Sequence, residues 1–504
     1  MLKFMGTPHK SCRLPRRFVV VLIEQLESQL GVVGYEQGQS GGIRLLSDLP
    51  AERMRQPAGP ATSHPDLAIV IPAIDERENV ELLIPALWDV MGSIGVKAEI
   101  ILVDGGSKDG TEQAAESRGA RVVPQDERGY GGALLAGFGA ARAPFIVTMD
   151  ADLSHRPSFI AQMWKNRANA HVIIGSRYVS GGEAEMNLAR RVLSKILNQT
   201  FARVLSLPFR DLSSGFRMYR ADTVRHLQLN ARDFDVLEEI LIKVYSEGWN
   251  IIELPFRYMT RGAGRSHAKL LKFGIAYLKT LLRMWHLRNS VESADYDYRA
   301  YDSPIWLQRY WQRKRHEIIL NFVGDSSAVL DIGCGSSRII LDLKKAVGMD
   351  ISQRKLRWLK PKHERLVRGS TFALPFKNSS FDAVINSEVI EHVPEDPQIM
   401  NEMWRVLRPG GMLILGTPDY SRWSWVVLEW IYGKVLPGAY AHEHITHYTR
   451  KTLGELIVAH GFEVLDCLYV GYSEMIFKAR KPSTAMEAQT HQALASAARP
   501  GLRF

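Results

Sequence analysis

Hydrophobic and polar positions alternate in two separate stretches of the chain, one opening at Leu67 and the other at Ala328. In the first, Leu67-Ala-Ile-Val-Ile71 is a continuous apolar run of the kind that forms a strand buried on both faces. A helical pattern follows over 79–91, then a strand over 99–103, a helix over 110–118, and strands at Val122 and over 145–149. Strands alternating with helices predict a parallel sheet covered on both sides. The alternation restarts at Ala328 and runs to about residue 479, so the chain reads as two α/β domains in series. Between them, 290–303 is polar, acidic and tyrosine-rich, as a linker would be. The expected layout is an extension over 1–65, a first domain over 66–290, a linker over 291–303, a second domain over 304–480 and a tail over 481–504. The extension holds a Gly/Ser/Gln patch and a Pro/Ala/Arg stretch without periodicity, and the tail is rich in Ala and Gln.

Composition narrows the class. A chain of 504 residues is too long for one core, and 46% hydrophobic with 23% charged residues excludes a disordered or fibrous protein. A formal charge of +10 favours anionic partners: phosphates, nucleic acid or a lipid surface. Cys12, Cys334 and Cys467 are too few and too scattered for a disulfide framework or a metal knuckle, which fits a reducing, cytoplasmic setting. No apolar stretch approaches the ~20 residues that span a bilayer. The run over 18–23 follows Arg13, Arg16 and Arg17 but stops at Glu24 with no clear cleavage site, so a short amphipathic helix, or an over-long gene start, is expected rather than a signal peptide.

Two signatures carry chemistry. In Met149-Asp-Ala-Asp-Leu-Ser-His155, Asp150 and Asp152 fall just past a strand's carboxyl end, where open α/β sheets bind ligands. Two carboxylates one residue apart can hold a hard divalent ion, Mg²⁺ or Mn²⁺, and leave positions for diphosphate oxygens. The second signature is Val329-Leu-Asp-Ile-Gly-Cys-Gly335, a strand running into a tight glycine turn, followed by Gly348-Met-Asp350 ending the next strand. Small residues let a ligand approach the backbone, and an acid at that distance can grip a ribose diol.

Seven blocks between about 67 and 288 resemble the family 2 glycosyltransferases of GT-A fold, within them the dolichyl-phosphate mannosyltransferase group. They are Ile71-Pro-Ala-Ile-Asp-Glu-Arg-Glu-Asn79, Val103-Asp-Gly-Gly-Ser-Lys-Asp-Gly-Thr111, Gly129-Tyr-Gly-Gly-Ala133, Thr148-Met-Asp-Ala-Asp-Leu-Ser-His155, Gly175-Ser-Arg-Tyr178, Ser213-Ser-Gly-Phe-Arg217 and Arg261-Gly-Ala-Gly-Arg-Ser266. The resemblance implies a nucleotide-sugar pocket of Pro72, Ile74, Glu76, Val103, Asp104, Asp150, Ala151, Asp152, Arg177, Arg261 and His267. Asp150 and Asp152 would serve the metal, with Asp152, Arg177, Arg261 and Glu239 carrying catalysis. Ile74 and Asp75 stand where the group has tyrosine and asparagine, Gly105 where it has a second aspartate, and His267 where it has lysine. Those departures leave the donor open between GDP-mannose and a UDP-hexose.

A polyprenyl phosphate acceptor, with a second pKa near ~6, can attack without a general base. A polysaccharide hydroxyl would need one, and Glu239 is the candidate, standing equally as a solvated or capping residue. From Leu254 to Val291 no acid occurs among eight basic residues interleaved with leucines and aromatics. Such a stretch suits either a lipid headgroup layer or a packed helix with a solvated basic face. No recognition module accompanies the charge, so nucleic acid is not expected as a partner.

The stretch from about 326 to 478 resembles class I S-adenosylmethionine-dependent methyltransferases, with further matches at Leu374-Pro-Phe376, Ser380-Phe-Asp-Ala-Val384, Ser387-Glu-Val-Ile-Glu-His392 and Leu407-Arg-Pro-Gly-Gly-Met-Leu413. The resemblance implies a Rossmann-like fold in which Asp331, Gly333 and Gly335 shape the methionine side and Asp350 holds the ribose. Ser337 and Ser370 stand where glycine and aspartate are common. His442-Glu-His-Ile-Thr-His447 has gaps that fit no standard zinc spacing. His447 is a candidate base for a methyl acceptor, or these are packing histidines; Trp423, Trp425 and Trp430 would form an apolar lid or core. The expectation is a two-headed enzyme, peripheral at the inner face of the membrane. It would move a sugar with inversion onto polyprenyl phosphate and methylate a product of the same glycan or lipid pathway. The alternative is transfer to a polysaccharide hydroxyl, with a second domain that binds S-adenosylmethionine without methyl transfer.

Overall fold

Strand β1 (Leu67–Ala73) shows why two layers of helix are needed. Ala68 and Val70 enter one core while Leu67, Ile69 and Ile71 enter another, so both faces of the strand are dry. A computed structural model describes residues 64–186, 188–259, 270–435 and 444–483, all within one compact unit. Helices α1 (Arg77–Ser93) and α2 (Thr111–Glu116) cover the second face, through Leu83, Ile84, Leu87 and Ala115. Between them runs β2 (Ala98–Asp104), and after them β3 (Arg121–Pro124). Helix α3 (Tyr130–Ala140) covers the first face so closely that a Cβ at Gly137 would lie 2.2 Å from Val70 Cγ1. Only glycine permits that approach.

The chain continues through β4 (Phe145–Thr148), α4 (Phe159–Asn166), β5 (Val172–Ser176), the short β6 (Glu183–Ala184), α5 (Leu188–Val204), β7 (Arg217–Arg220), α6 (Val236–Ser246), β8 (Ile251–Pro255) and β9 (Arg257–Tyr258). The seven-stranded sheet has the order β3-β2-β1-β4-β7-β5-β8. Strand β7 is antiparallel to both neighbours, and β6 pairs with β9 apart from the sheet. Strand β1 pairs in parallel with β2 and β4, which brings the ends of all three to one edge. That edge is the one the sequence assigns to the ligand.

Helix α7 (Leu270–Arg288) lies against α5, with the Phe201 and Tyr277 rings 6.2 Å apart edge to face. The stretch expected as a linker is folded instead. Buried Arg288 donates to both oxygens of Asp295 at 2.6 and 2.8 Å, and through Nε to the Leu205 carbonyl at 3.1 Å. Helices α8 (Tyr296–Tyr301) and α9 (Trp306–Val323) then lead into the second sheet. The two domains also touch directly. Arg357 stacks on Trp249 with 3.4 Å to the ring centroid and donates to the Glu247 carbonyl at 2.7 Å.

The second domain follows the expected alternation through β10 (Val329–Ile332), α10 (Arg338–Asp342), β11 (Val347–Asp350), α11 (Gln353–Leu359), β12 (Leu366–Arg368), β13 (Phe381–Ser387), α12 (Pro397–Val406), β14 (Leu407–Pro418), α13 (Trp423–Val435), α14 (Arg450–Ala459), β15 (Glu463–Val470) and β16 (Glu474–Arg480). Its order is β12-β11-β10-β13-β14-β16-β15, with β16 antiparallel to both neighbours. The order reverses beside β10, and the crevice at that switch is where such sheets bind a ligand. No described helix is long and apolar enough to cross a membrane.

Candidate active sites

In the first domain, Thr148 ends β4 by donating its hydroxyl to the Gly215 carbonyl at 2.7 Å, and the Met149 N–H bonds the Val70 carbonyl. The turn beyond carries Asp150 and Asp152. Asp150 stays partly exposed: its Oδ1 accepts from the Tyr130 hydroxyl at 3.1 Å and its Oδ2 lies 3.9 Å from His155 Nε2. Asp152 is buried, and its Oδ1 accepts from the Ser154 N–H at 3.1 Å and the Ser154 hydroxyl at 2.5 Å. Leu153 between them has φ 63°, a left-handed conformation that costs energy for a branched side chain.

His155 is a residue that sequence reasoning missed. The Asp150 N–H donates to its Nδ1 at 3.0 Å, and its ring stacks on Phe216 with centroids 4.8 Å apart. Burial lowers its pKa, so the ring is neutral and its proton sits on Nε2, facing Asp150. Asp150 is therefore held by a hydroxyl and a neutral imidazole rather than by a cation. Two carboxylates on one turn, one reachable from solvent, fit a divalent ion. Such an ion would supply positive charge to a departing diphosphate.

The expected nucleotide pocket lines the same edge. Pro72 on β1 pairs with Val103 on β2; Val103 and Ala151 are buried, while Ile74 is half exposed. Glu76 is tied through its N–H to the Thr111 hydroxyl at 2.9 Å and through Oε2 to Asn79 Nδ2 at 2.5 Å. Asp104 is occupied in its own loop, accepting from the N–H groups of Gly106 and Ser107 and from the Ser107 hydroxyl. At Gly105 a Cβ would lie 3.2 Å from Gln125 Oε1, so Gln125 fills the space a second aspartate would need.

Arg177 is locked rather than free. It donates to both oxygens of fully buried Asp211 at 2.7 and 2.8 Å and to the Ser213 hydroxyl at 2.8 Å. Burial opposes its charge, but Asp211 outweighs burial and raises its pKa. Glu239 is fully buried and accepts from Asn230 N–H at 3.1 Å, Ala231 N–H at 2.7 Å and Lys243 Nζ at 2.7 Å. Burial alone would raise its pKa, yet Lys243 and those N–H groups hold it below the usual carboxylate range. A carboxylate so saturated braces the 230–231 loop. Its neighbour Glu238 is buried with both oxygens unbonded, and burial pushes its pKa up to about 8. Arg261 and His267 lie outside the described residues.

In the second domain, Gly333 and Gly335 take φ 69° and 54°, and both Gly333 N–H and Cys334 N–H bond the Met349 carbonyl. Asp350 accepts from Gly335 N–H at 2.8 Å and Ser352 N–H at 2.7 Å, holding the turn against β11. Ser337, with φ −69°, needs no glycine. Asp331 is buried with Oδ2 unbonded; burial, then the neighbouring Asp350 charge, pushes its pKa up to about 8. An orphaned carboxyl beside a glycine cradle fits a cationic cofactor, with Asp331 toward its positive end and Asp350 toward a diol. S-adenosylmethionine would supply an activated methyl group there.

A contact from outside the expected domain completes the cradle. Asp297, on α8, accepts from Ser336 N–H at 3.0 Å and Lys355 Nζ at 3.0 Å, and a Cβ at Gly335 would lie 2.5 Å from its Oδ2. Cys334 is buried with its thiol pKa pushed well up, so it is an inert small residue. His447 stacks on Tyr420 with centroids 3.9 Å apart, Trp425 stacks on His444, and Trp423 and Trp430 are exposed. His442 lies outside the described residues.

With that geometry in hand, comparisons with known proteins agree on both halves. Residues 68–228 match the model of glycosyl transferase family 2, and residues 330–415 match that of a methyltransferase domain. Dolichol-phosphate mannosyltransferase from Pyrococcus furiosus is 32% identical over 236 residues, which cover 45% of this chain and 65% of that protein. Polyprenol monophosphomannose synthase from Mycolicibacterium smegmatis is 31% identical over 267 residues, covering 49% of this chain and 97% of the relative. Among solved structures, an S-adenosylmethionine-dependent methyltransferase from Thermotoga maritima matches at 20% identity and a TM-score of 0.32, over 36% of this chain and 94% of its own.

Proposed function

Because the chain belongs to glycosyltransferase family 2 and carries a methyltransferase domain in its second half, we propose that it is a two-headed transferase of lipid-linked glycan assembly. The first head transfers a sugar from a nucleotide-sugar, GDP-mannose or a UDP-hexose, to a polyprenyl phosphate, with inversion. One observation supports the choice of acceptor: on α6 the carboxylate of Glu239 is already taken up by donors, and Glu238 is buried away from solvent. The donors to Glu239 are Lys243 and backbone N–H groups, and burial pushes the Glu238 pKa up to about 8. A hydroxyl acceptor would need a base, whereas a phosphate brings its own negative oxygen.

The chain's own residues then position and stabilise. Asp150 and Asp152 would hold a divalent ion, which would supply positive charge to the donor diphosphate, and neutral His155 keeps the Asp150 turn in place. Arg177, oriented by Asp211, offers charge to the phosphates, a role that the family resemblance extends to Arg261 and His267, which lie outside the described residues. A surface for the lipid is offered by two helices, one of which, α5, meets the Arg177 cluster through Ser194 and Asn198. Helices α5 and α7 expose Leu188, Val192, Leu193, Ile196, Ile275, Leu278 and Leu282, with exposed Arg191, Lys195 and Lys279 among them. Apolar groups ringed by cations suit the anionic face of a bilayer, which would put the enzyme at the inner, cytoplasmic leaflet.

The second head methylates a sugar or lipid made in the same pathway, a reading that rests on the fusion and on the exposed tryptophans of α13. Asp331 and Asp350 would hold S-adenosylmethionine at the glycine turn, and His447 is the candidate for taking the acceptor's proton. The test is transfer of label from GDP-mannose and UDP-hexoses to polyprenyl phosphate, with Asp152→Ala beside the wild type. Organic-extractable label lost in the variant supports the proposal; label only in water-soluble glycan overturns it. Labelled methyl from S-adenosylmethionine should then enter the glycolipid, and its absence there would separate the two pathways.

A further inference from the structure

Glu391 and His392 occupy the 3₁₀ turn Ile390–His392 that follows β13, whereas His444 lies far along the chain, ahead of α14. The fold staples the two segments together. The Ile445 and Thr446 N–H groups donate to the Glu391 carbonyl at 2.7 and 3.0 Å, and the Thr446 hydroxyl donates to the Val393 carbonyl at 2.7 Å. As a result one ligand-capable atom from each of Glu391, His392 and His444 lies within 4.8 Å of the others. The two imidazole centroids are 4.9 Å apart.

Three further features point to a ligand. Glu391 is fully buried, yet neither of its carboxylate oxygens has a hydrogen-bond partner. A buried carboxylate in that condition is costly unless something cationic meets it. The Thr417 hydroxyl on β14, also fully buried, lies against that carboxylate and favours its charged form. His444 Nδ1 is 2.6 Å from the Tyr420 hydroxyl, which fixes the ring and leaves Nε2 for the cluster. Metal-binding imidazoles are held by an outer partner in this way.

We propose that Glu391, His392 and His444 bind a divalent cation, and that this cation holds and activates a hydroxyl group as the methyl acceptor. The role rests on the methyltransferase reading; the ion site itself does not. Two imidazoles and one carboxylate suit Zn²⁺, Mn²⁺, Fe²⁺ or Co²⁺ better than Mg²⁺ or Ca²⁺. Three protein ligands leave coordination positions for the acceptor. The site also abuts the cofactor turn: a Cβ at Gly333 would lie 2.2 Å from Val389 Cγ2, two residues before Glu391. Coordination lowers the hydroxyl's pKa, so its proton passes to solvent or to a nearby histidine. The oxygen forms a bond to the methyl carbon, the carbon–sulfur bond breaks with its electron pair staying on sulfur, and S-adenosylhomocysteine leaves. The acceptor class is thus an alcohol, as on a sugar.

The experiment uses the full chain with Asp150→Asn and Asp152→Asn, which silences the first domain's metal turn. Mn²⁺ binding is counted from the loss of the free-ion electron paramagnetic resonance signal. One bound ion per chain is expected, weakened at least tenfold by adding His444→Ala or Glu391→Gln. Co²⁺ in its place should give a visible spectrum of nitrogen ligation that His444→Ala abolishes. S-adenosylmethionine binding by calorimetry, retained within about twofold in each variant, shows that the domain is folded. No ion in the Asp150/Asp152 background, or equal binding with and without His444 and Glu391, overturns the proposal. An ion bound by a chain with no affinity for S-adenosylmethionine would support the site and defeat the methyltransferase reading instead.

Discussion

Asp331 makes cofactor binding depend on pH. In the free chain burial, reinforced by Asp350, pushes its pKa up to about 8, so the carboxyl is protonated at neutral pH. S-adenosylmethionine brings positive charge, which favours the ionised carboxylate, so binding must expel the proton. At a free-state pKa of about 8 the ionised fraction is about 1% at pH 6 and about 50% at pH 8, a rise in affinity of about 50-fold, or roughly 2.3 kcal/mol. At pH 7 about 0.9 proton should be released per cofactor bound. Burial opposes the Lys355 charge, but Asp297 across the same turn outweighs it and raises the Lys355 pKa, so Lys355 does not supply the proton.

The sign for folding runs the other way. Unfolded, Asp331 loses its proton near ~3.9 and folded only near 8, so the native chain binds more protons between those values. Its contribution to stability therefore falls as pH rises through that window, until cofactor relieves it. Calorimetry in two buffers of different ionisation heat counts the protons directly. Asp331→Asn, which mimics the neutral form in shape, should bind weakly and lose this pH slope, isolating it from titration of the cofactor's own amine. Equal slopes in wild type and Asp331→Asn would refute the reasoning.

Three other outcomes follow from the structure. Glu239→Gln should cost about 3–5 kcal/mol of stability, because Lys243 loses its buried partner, with little loss of kcat in the folded fraction; a large fall in kcat at an unchanged melting temperature would restore Glu239 as a base. Asp295→Asn should destabilise by a similar ~3–5 kcal/mol, measured by denaturant melts, since it strands buried Arg288. Burial opposes the Asp295 charge but Arg288 prevails and lowers its pKa, so this pair's stability is present above the unfolded aspartate range and vanishes as pH falls through the lower folded value. Leu193→Glu with Leu278→Glu should reduce sedimentation with anionic vesicles by at least about tenfold, each leucine being worth ~1.5–3 kcal/mol on burial; unchanged sedimentation would exclude α5 and α7 as the lipid surface.

What the sequence made legible was local. Apolar runs and glycine turns marked the sheet edges, so Asp150, Asp152, Asp331 and Asp350 fall where their spacing put them. What it hid depends on partners distant in the chain. Glu238 and Glu239 are neighbours, but one residue of helix turns a side chain by about 100°, and only the fold says which meets Lys243. His155 lies inside a quoted motif, yet its role comes from Phe216 and from the Asp150 N–H. Spacing within 442–447 fits no standard zinc site, and it could not show that His444 meets Glu391 and His392, which only the backbone staple brings close.

The connector changes what the fusion means. A polar, acidic segment normally reads as a tether because nothing in its own sequence can bury its charges. Here Arg288 arrives from α7 to neutralise Asp295, and Lys355 from α11 to neutralise Asp297. With its acids paired, the segment can fold as α8 and place Asp297 against the Ser336 N–H of the cofactor turn. One end of this element is thus anchored in the sugar-transferring domain and the other helps build the methyl-donor cradle. A passive tether would leave the second head to build its cradle alone; here a folded strut, pinned to the first domain by Arg288 and Asp295, supplies the carboxylate that holds the Ser336 N–H.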